Sequence, residues 1–169
     1  MSRRVTASQS KQGGARVRLP PPLVFLGLLV AGFSVDAAVF RRVSLALAGW
    51  PRMLAGAPLA LAGLALVLAA NQWFRRTGQD PAPWRPSPEL IVRGIYRHTR
   101  NPMYIGMALF QAGVGTASSA PTVALLALVG LAIVHVTAVL PEESYLTEKF
   151  GEPYERYKAS VPRYLPLTW

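Results

Sequence analysis

The chain has 169 residues, of which 51% are hydrophobic and only 15% are charged. It contains no cysteine, which excludes disulfides, thiolate metal sites and a cysteine nucleophile. The formal net charge is +10. Basic flanks around membrane spans account for such an excess, so membrane lipids are favoured over nucleic acid as partners.

The chain begins with a polar, basic stretch, residues 1–19, which predicts a disordered tail. The remaining residues, 20–169, predict a single domain. It contains four apolar runs, at about 23–40, 53–74, 103–117 and 121–140. A membrane-spanning helix needs roughly 20 apolar residues, and only the third run falls clearly short of that length. We therefore predict an all-α integral membrane protein with about four transmembrane helices.

Lysines and arginines predict the orientation of these helices. They cluster before the first run, between the second and third runs, and after the fourth, whereas the turn between the third and fourth has none. By the positive-inside rule, both termini and the central loop lie in the cytoplasm, at what we expect to be a bacterial inner membrane. Arg41, Arg42 and Arg52 argue the other way but are outnumbered.

A hinge of charged and aromatic residues, 94–106, precedes the third run. It follows a proline-dense loop, residues 78–88, that cannot be helical. Asn101 is a good helix N-cap, and Pro102 suits the first helical turn. Because the hinge places three cations and two tyrosines at a membrane boundary, it predicts a binding site.

Two adjacent acids, Glu142 and Glu143, follow Pro141 at the end of the fourth run. At a helix start they would be favoured by the helix dipole, which is a structural role. An inward carboxylate would instead accept hydrogen bonds from hydroxyl or ammonium groups of a ligand. We predict that the acids fold back beside the hinge and share one pocket with it.

The chain after Pro141 is amphipathic, and Gly151 and Pro153 divide it into two short helices. Apolar residues recur there at helical spacing: Leu146, Phe150, Tyr154, Tyr157 and Val161. This segment predicts packing or interfacial anchoring at the cytoplasmic face.

Two ionisable residues fall inside the apolar runs. Asp36 and His135 are candidates for ligand contact because charges at membrane depth are usually functional. The alternatives are a hydrogen bond from His135 to a neighbouring helix and pairing of Asp36 with Arg41 or Arg42. His98 and His135 lack partners at ligand spacing, so no metal site is predicted.

Two ordered motifs carry a resemblance to a known family. Residues 90–106, with Leu90-Ile91, Gly94-Ile95-Tyr96 and Asn101-Pro102-Met103-Tyr104, resemble the core motif of the isoprenylcysteine carboxyl methyltransferase family. Its bacterial relatives include phospholipid methyltransferases. The second motif is Pro141-Glu142-Glu143, followed by Phe150-Gly151 and Val161-Pro162-Arg163. The resemblance covers about residues 50–166.

The resemblance implies a single methyltransferase-like membrane domain that binds S-adenosyl-L-methionine without a Rossmann fold. Its implied cofactor-binding residues are Leu90, Ile91, Tyr96, Asn101, Pro102, Met103, Tyr104, Glu142 and Glu143. We assign catalytic roles to Glu143, as a base for an amine acceptor, with a tyrosine as the alternative base, and to Arg100. Arg100 would pair with the cofactor carboxylate or with a glutamate, or alternatively bind a lipid headgroup. Eukaryotic members usually have His at the place of Asn101.

The activity implied is methyl transfer to an oxygen or nitrogen of a lipophilic acceptor, a small molecule or a lipid. Eukaryotic members also carry an arginine shortly before the acids, where this chain has Val136-Thr137-Ala138-Val139, which argues against a prenylcysteine substrate. Two alternatives stay open. One is an NADPH-dependent reductase of the sterol and steroid reductase type, whose C-terminal layout is similar. The other is a non-catalytic membrane scaffold.

Overall fold

The computed structural model describes residues 14–17, 19–39 and 49–164. Within these ranges all regular structure is helical. The α-helices are α1 (Pro21–Val39), α2 (Trp50–Arg76), α3 (Pro102–Ala117), α4 (Pro121–Val134), α5 (Leu140–Phe150) and α6 (Glu152–Ser160). A 3₁₀ turn, Gly94–Arg97, precedes α3, and a π-helical turn, His135–Val139, joins α4 to α5.

Three helices among the described residues have the length and hydropathy to cross a membrane: α1, α2 and the continuous helix Pro121–Phe150. Helix α3 has 16 residues, a length of about 24 Å, which is less than the roughly 30 Å of a hydrocarbon core. The chain is thus an integral membrane protein, and the described part of it contains three such helices; the predicted fourth is not among them. A crossing by 103–117 stays a prediction.

Glycines determine how the long helices pack. Side chains on Gly56 and Gly63 of α2 would overlap the backbone of α3, and those on Gly106 and Gly113 of α3 would collide with α2. Association of helices in a membrane relies on close backbone approach, since lipid tails are as apolar as the side chains. Helix α4 packs on α3, and α1 packs mainly on α4, giving the spatial order α2, α3, α4, α1.

Asp36 has a structural role at the end of the bundle where α4 begins. Its carboxylate accepts hydrogen bonds from the backbone N–H groups of Thr122, at 3.1 Å, and Val123, at 3.3 Å. These amides have no partner within their own helix, so α1 caps α4 from outside. The predicted partners Arg41 and Arg42 lie outside the described residues.

Pro141 does not end the fourth helix, contrary to the prediction that a new helix begins there. The Leu140 N–H donates to the carbonyl of His135, which widens the helix by one residue. This wider turn accommodates the proline, which lacks an N–H and would clash in a regular helix. Glu142 and Glu143 therefore lie within a continuous helix, and capping of a free N-terminus does not explain them.

The end of the predicted tail is anchored. The Gly14 N–H donates to the carbonyl of Trp84 at 3.2 Å, and the Ala15 N–H donates to that of Pro83 at 2.8 Å. Ala15 is buried, and Val17 packs against the apolar core. Residues 14–17 are thus tied to the proline-dense loop, while residues 1–13 and 18 lie outside the described residues.

Candidate functional site

The hinge and the acid pair meet at one end of the bundle. The Arg100 Nη1 donates to Glu143 Oε1 at 2.7 Å, although the two residues are 43 positions apart. The Tyr104 hydroxyl donates to Glu142 Oε2 at 3.0 Å. Both contacts join the hinge to α5, so the predicted convergence of the two segments is observed.

The C-terminal segment closes this arrangement. Arg163 donates two parallel hydrogen bonds to Glu143, from Nε to Oε1 at 2.9 Å and from Nη2 to Oε2 at 2.7 Å. The Arg100 Nε donates to the carbonyl of Val161 at 3.0 Å, and the Asn101 Nδ2 donates to that of Arg163 at 3.0 Å. Two arginines and one glutamate therefore tie the hinge, α5 and the C-terminal segment together.

The hydrogen-bonded group of Arg100, Glu143 and Arg163, called the clasp below, changes the interpretation of the two residues predicted to be catalytic. The Glu143 side chain is only 11% exposed and faces two guanidinium groups. Its hydrogen bonds are the main reason why the pKa of Arg163 is raised. A carboxylate held by two cations is a poor proton acceptor, so the base role predicted for Glu143 is disfavoured. Arg100 pairs with a glutamate, one of the three partners predicted for it.

Tyrosines form the apolar side of the site. Tyr96 packs edge to face against Phe74, with ring centroids 6.0 Å apart, and its carbonyl accepts from the Tyr157 hydroxyl at 2.7 Å. Burial raises the pKa of Tyr96 and of Tyr157, and it raises the pKa of Tyr154 to about 12. These hydroxyls stay protonated at neutral pH and do not act as bases.

Gly94 allows the hinge to approach α2. It has a φ of +60°, and a side chain there would overlap the indole of Trp73. Glycine adopts this conformation without the strain that other residues incur. The 3₁₀ turn consequently lies against the end of α2, where Tyr96 contacts Phe74.

A small cavity of about 60 Å³ lies between these segments. Seven of the predicted site residues line it: Leu90, Ile91, Tyr96, Arg100, Asn101, Glu142 and Glu143. Pro102, Met103 and Tyr104 do not, because they start α3 beside the cavity; Pro102 and Tyr104 are buried, and Tyr104 reaches the site only through Glu142. The remaining lining residues are Phe74, Gln79, Ser87, Glu89, Val139, Leu146, Tyr154 and Tyr157.

Gln79 is one of the eight lining residues outside the predicted site, and its polar group is buried. It is 7% exposed, and its Nε2 donates to Thr77 Oγ1 at 3.0 Å, whereas its Oε1 has no partner. A buried acceptor without a donor costs about 1–3 kcal/mol, which a ligand donor would recover. Its position in a proline-dense loop gave no signal of burial. Arg163 belongs to the second motif but was not predicted to be a site residue. Its positive charge was the signal available in the sequence, because a buried carboxylate such as Glu143 requires a cationic partner.

His135 contacts the C-terminal segment instead of a neighbouring helix. Its Nδ1 lies 2.9 Å from the Tyr164 hydroxyl. No group of three histidine, aspartate or glutamate side chains suited to a metal ion occurs in the part of the chain that the structure describes.

Comparisons with known proteins give two matches. A family model described as phospholipid methyltransferase matches residues 51–153. The protein-S-isoprenylcysteine O-methyltransferase of Schizosaccharomyces pombe is 32% identical over 78 residues, which make up 46% of this chain. The match spans 33% of that relative's length. No solved structure matches the chain significantly. The region matched by the family model contains Gln79, the hinge and both glutamates, but not Arg163.

Proposed function

The chain belongs to the phospholipid methyltransferase family, and from this premise we propose that it transfers a methyl group from S-adenosyl-L-methionine to a lipophilic acceptor. The observation that carries the proposal is the position of the family match, which includes α2, the hinge and the acid pair around one cavity. We place the cavity at the cytoplasmic face of a bacterial inner membrane, with both termini in the cytoplasm, because the cations cluster at this end of the bundle.

The chemistry of the cavity suits this cofactor. S-adenosyl-L-methionine has hydrogen-bond donors on its adenine, ribose and ammonium groups, and the cavity offers acceptors at Gln79 Oε1 and Glu142. Phe74 and Tyr96 provide aromatic surface for a base. The Arg100 side chain donates to Glu143 and to the Val161 carbonyl and also hydrogen-bonds Tyr154. We propose that its guanidinium, which lines the cavity, additionally holds the cofactor carboxylate.

The size of the cavity requires a wall to move. Sites for ligands of this size usually enclose roughly 300–1,000 Å³, several times the about 60 Å³ present. The proline-dense loop and the residues after it form one wall, through Ser87, Leu90 and Ile91. The Ser87 N–H donates to the Tyr145 hydroxyl at 3.3 Å, a long contact that is easily broken. We propose that this loop opens to admit the cofactor.

The residues of the chain act mainly by positioning. When bound, the cofactor supplies a methyl group already activated by its sulfonium. Alignment of two reactants can lower a barrier by about 7–11 kcal/mol, so binding and the exclusion of water are the main tasks. A carboxylate acceptor needs no base. For an amine acceptor, Glu142 is better placed than Glu143 to accept the proton, because its partner among the described residues is the Tyr104 hydroxyl and not a pair of guanidinium groups.

Cofactor binding tests this proposal. We expect the purified protein to bind S-adenosyl-L-methionine saturably in calorimetric titrations, and NADPH not at all. Glu142→Gln should weaken binding at least five-fold, since it removes a charged acceptor from the cavity. The matched control is Glu152→Gln in α6, whose side chain is 77% exposed and which should bind normally.

Three results would redirect the assignment. Binding of NADPH alone would favour the reductase, and binding of neither would favour the scaffold. If the cofactor binds but no methyl label reaches a lipid extract from membranes incubated with it, the acceptor assignment is wrong.

A further inference from the structure

An apolar cleft of about 220 Å³ lies between α1 and α3, apart from the polar cavity. Phe25, Leu26 and Leu29 line it from α1, and Met107, Phe110 and Gln111 line it from α3. Leu26 and Phe110 are 55% and 40% exposed, so the cleft opens towards the bilayer. An apolar cavity of about 150 Å³ is large enough for benzene, and this cleft therefore has room for a stretch of hydrocarbon.

Gln111 gives the cleft a polar group. It is 1% exposed, and its Nε2 donates to the Val123 carbonyl at 3.2 Å, while its Oε1 has no partner. Water is scarce at hydrocarbon depth, so an unpaired acceptor is more costly there than at a surface. A ligand that combines hydrocarbon with one hydrogen-bond donor would satisfy both features.

One apolar cluster contains residues that line the cleft and a residue that lines the polar cavity. Phe25 and Met107 belong to the apolar cluster that contains Tyr104 and Val139. Tyr104 bonds to Glu142, and Val139 lines the cavity. Gln111 lies two helical turns beyond Tyr104, about 11 Å along the helix axis.

We propose that this cleft binds the hydrocarbon chain of the methyl acceptor, and that Gln111 accepts a hydrogen bond from a hydroxyl or amide N–H on that chain. The donor lies about 11 Å from the reactive end. The acceptor is thus an amphiphile with a polar group within its apolar part. The identity of the occupant as the acceptor rests on the proposed function; the existence of the lipid site does not.

A matched pair of fatty acids tests the site. In 10-hydroxystearate the hydroxyl lies roughly 11 Å from the carboxylate when the chain is extended, and stearate lacks it. Radiolabelled forms of both are titrated against the purified protein in detergent. We expect 10-hydroxystearate to bind about five-fold more tightly. Gln111→Leu should reduce this ratio to about one without weakening stearate binding, whereas the control Gln72→Leu, exposed on α2, should preserve it.

A second pair of variants tests the cleft even if Gln111→Leu does not fold. Leu26→Trp fills the cleft from an exposed position and should weaken binding of both fatty acids at least ten-fold. Leu61→Trp, at a lipid-facing position of α2 that is 66% exposed, should have no effect. Equal affinities of the wild type for the two fatty acids, or binding unaffected by Leu26→Trp, would overturn the proposal.

Measurements on the same purified protein distinguish a failure of this proposal from a failure of the methyl-transfer assignment. Fatty-acid selectivity that depends on Gln111, without binding of S-adenosyl-L-methionine, would leave the lipid site intact and remove its role in methyl transfer. Cofactor binding and lipid methylation that Leu26→Trp leaves unchanged would refute the cleft alone.

Discussion

Glu142 and Glu143 show how one helix gives neighbouring carboxylates different tasks. Successive residues on a helix point about 100° apart. Glu143 therefore faces Arg100 and Arg163, while Glu142 faces Tyr104 and the cavity. The first carboxylate holds three segments together, and the second is left as an acceptor in the cavity.

Loss of the Glu143 charge should destabilise the protein. In Glu143→Gln the Arg100 side chain, only 10% exposed, would lose its counter-charge, and breaking such a buried pair costs about 3 kcal/mol. Glu155→Gln is the control, because its pair with Lys158 is exposed and should contribute less than about 1 kcal/mol. Thermal unfolding in detergent measures both, and similar losses in the two variants would show that the clasp does not stabilise the fold.

At the scale of elements, α3 depends on its neighbours for its position. It is too short to span a typical bilayer alone, yet its backbone lies against α2 from Gly106, beside Gly63, to Gly113, beside Gly56. Such backbone contacts leave no room for a methyl group. Because α3 follows the hinge directly, its position against α2 also decides where Arg100 and Asn101 lie.

An alanine substitution within the α2–α3 contact should be strongly unfavourable. In Gly63→Ala the added methyl would meet the backbone of Phe110, so we expect a loss of several kcal/mol or failure to fold. Gly27→Ala in α1 is the matched control, since nothing lies within 4 Å of its side-chain position. Thermal unfolding distinguishes the two, and equal stability would mean that the helices separate without cost.

At the scale of the whole molecule, both described ends of the chain lie at the same end of the bundle as the cavity. Asp36, late in α1, contacts Thr122 at the start of α4, and Arg52, early in α2, donates to Ser119. These contacts hold together the end of the bundle opposite the cavity. At the other end, residues 14–17 pair with the proline-dense loop and Arg163 binds Glu143. This arrangement supports the proposal that both termini face one compartment.

Single cysteines test the orientation, because the chain contains none. Ser118→Cys places a thiol at an exposed position of the end opposite the cavity, and Glu152→Cys places one at the cavity end. We expect a membrane-impermeant maleimide to label Ser118→Cys in intact cells and Glu152→Cys only after lysis. Labelling of Glu152→Cys in intact cells would contradict a cytoplasmic cavity.

The sequence by itself was sufficient for the helical membrane architecture and for the pairing of hinge and glutamates. Long apolar runs must form helices in a bilayer, because no water is present to satisfy the backbone. The predicted site supplied seven of the fifteen residues that line the cavity, including Leu90, Tyr96 and Asn101.

Only the tertiary structure decided which partner each polar group meets. The pairing of Arg163 with Glu143 and the cap that Asp36 provides for α4 join residues distant in the chain, and the burial of Gln79 with an unpaired Oε1 follows from the packing around it. Hydropathy specifies that a segment is helical, but not which helix its polar side chains face. That choice depends on close backbone packing at glycines and, for the glutamates, on a π turn that carries the helix past Pro141.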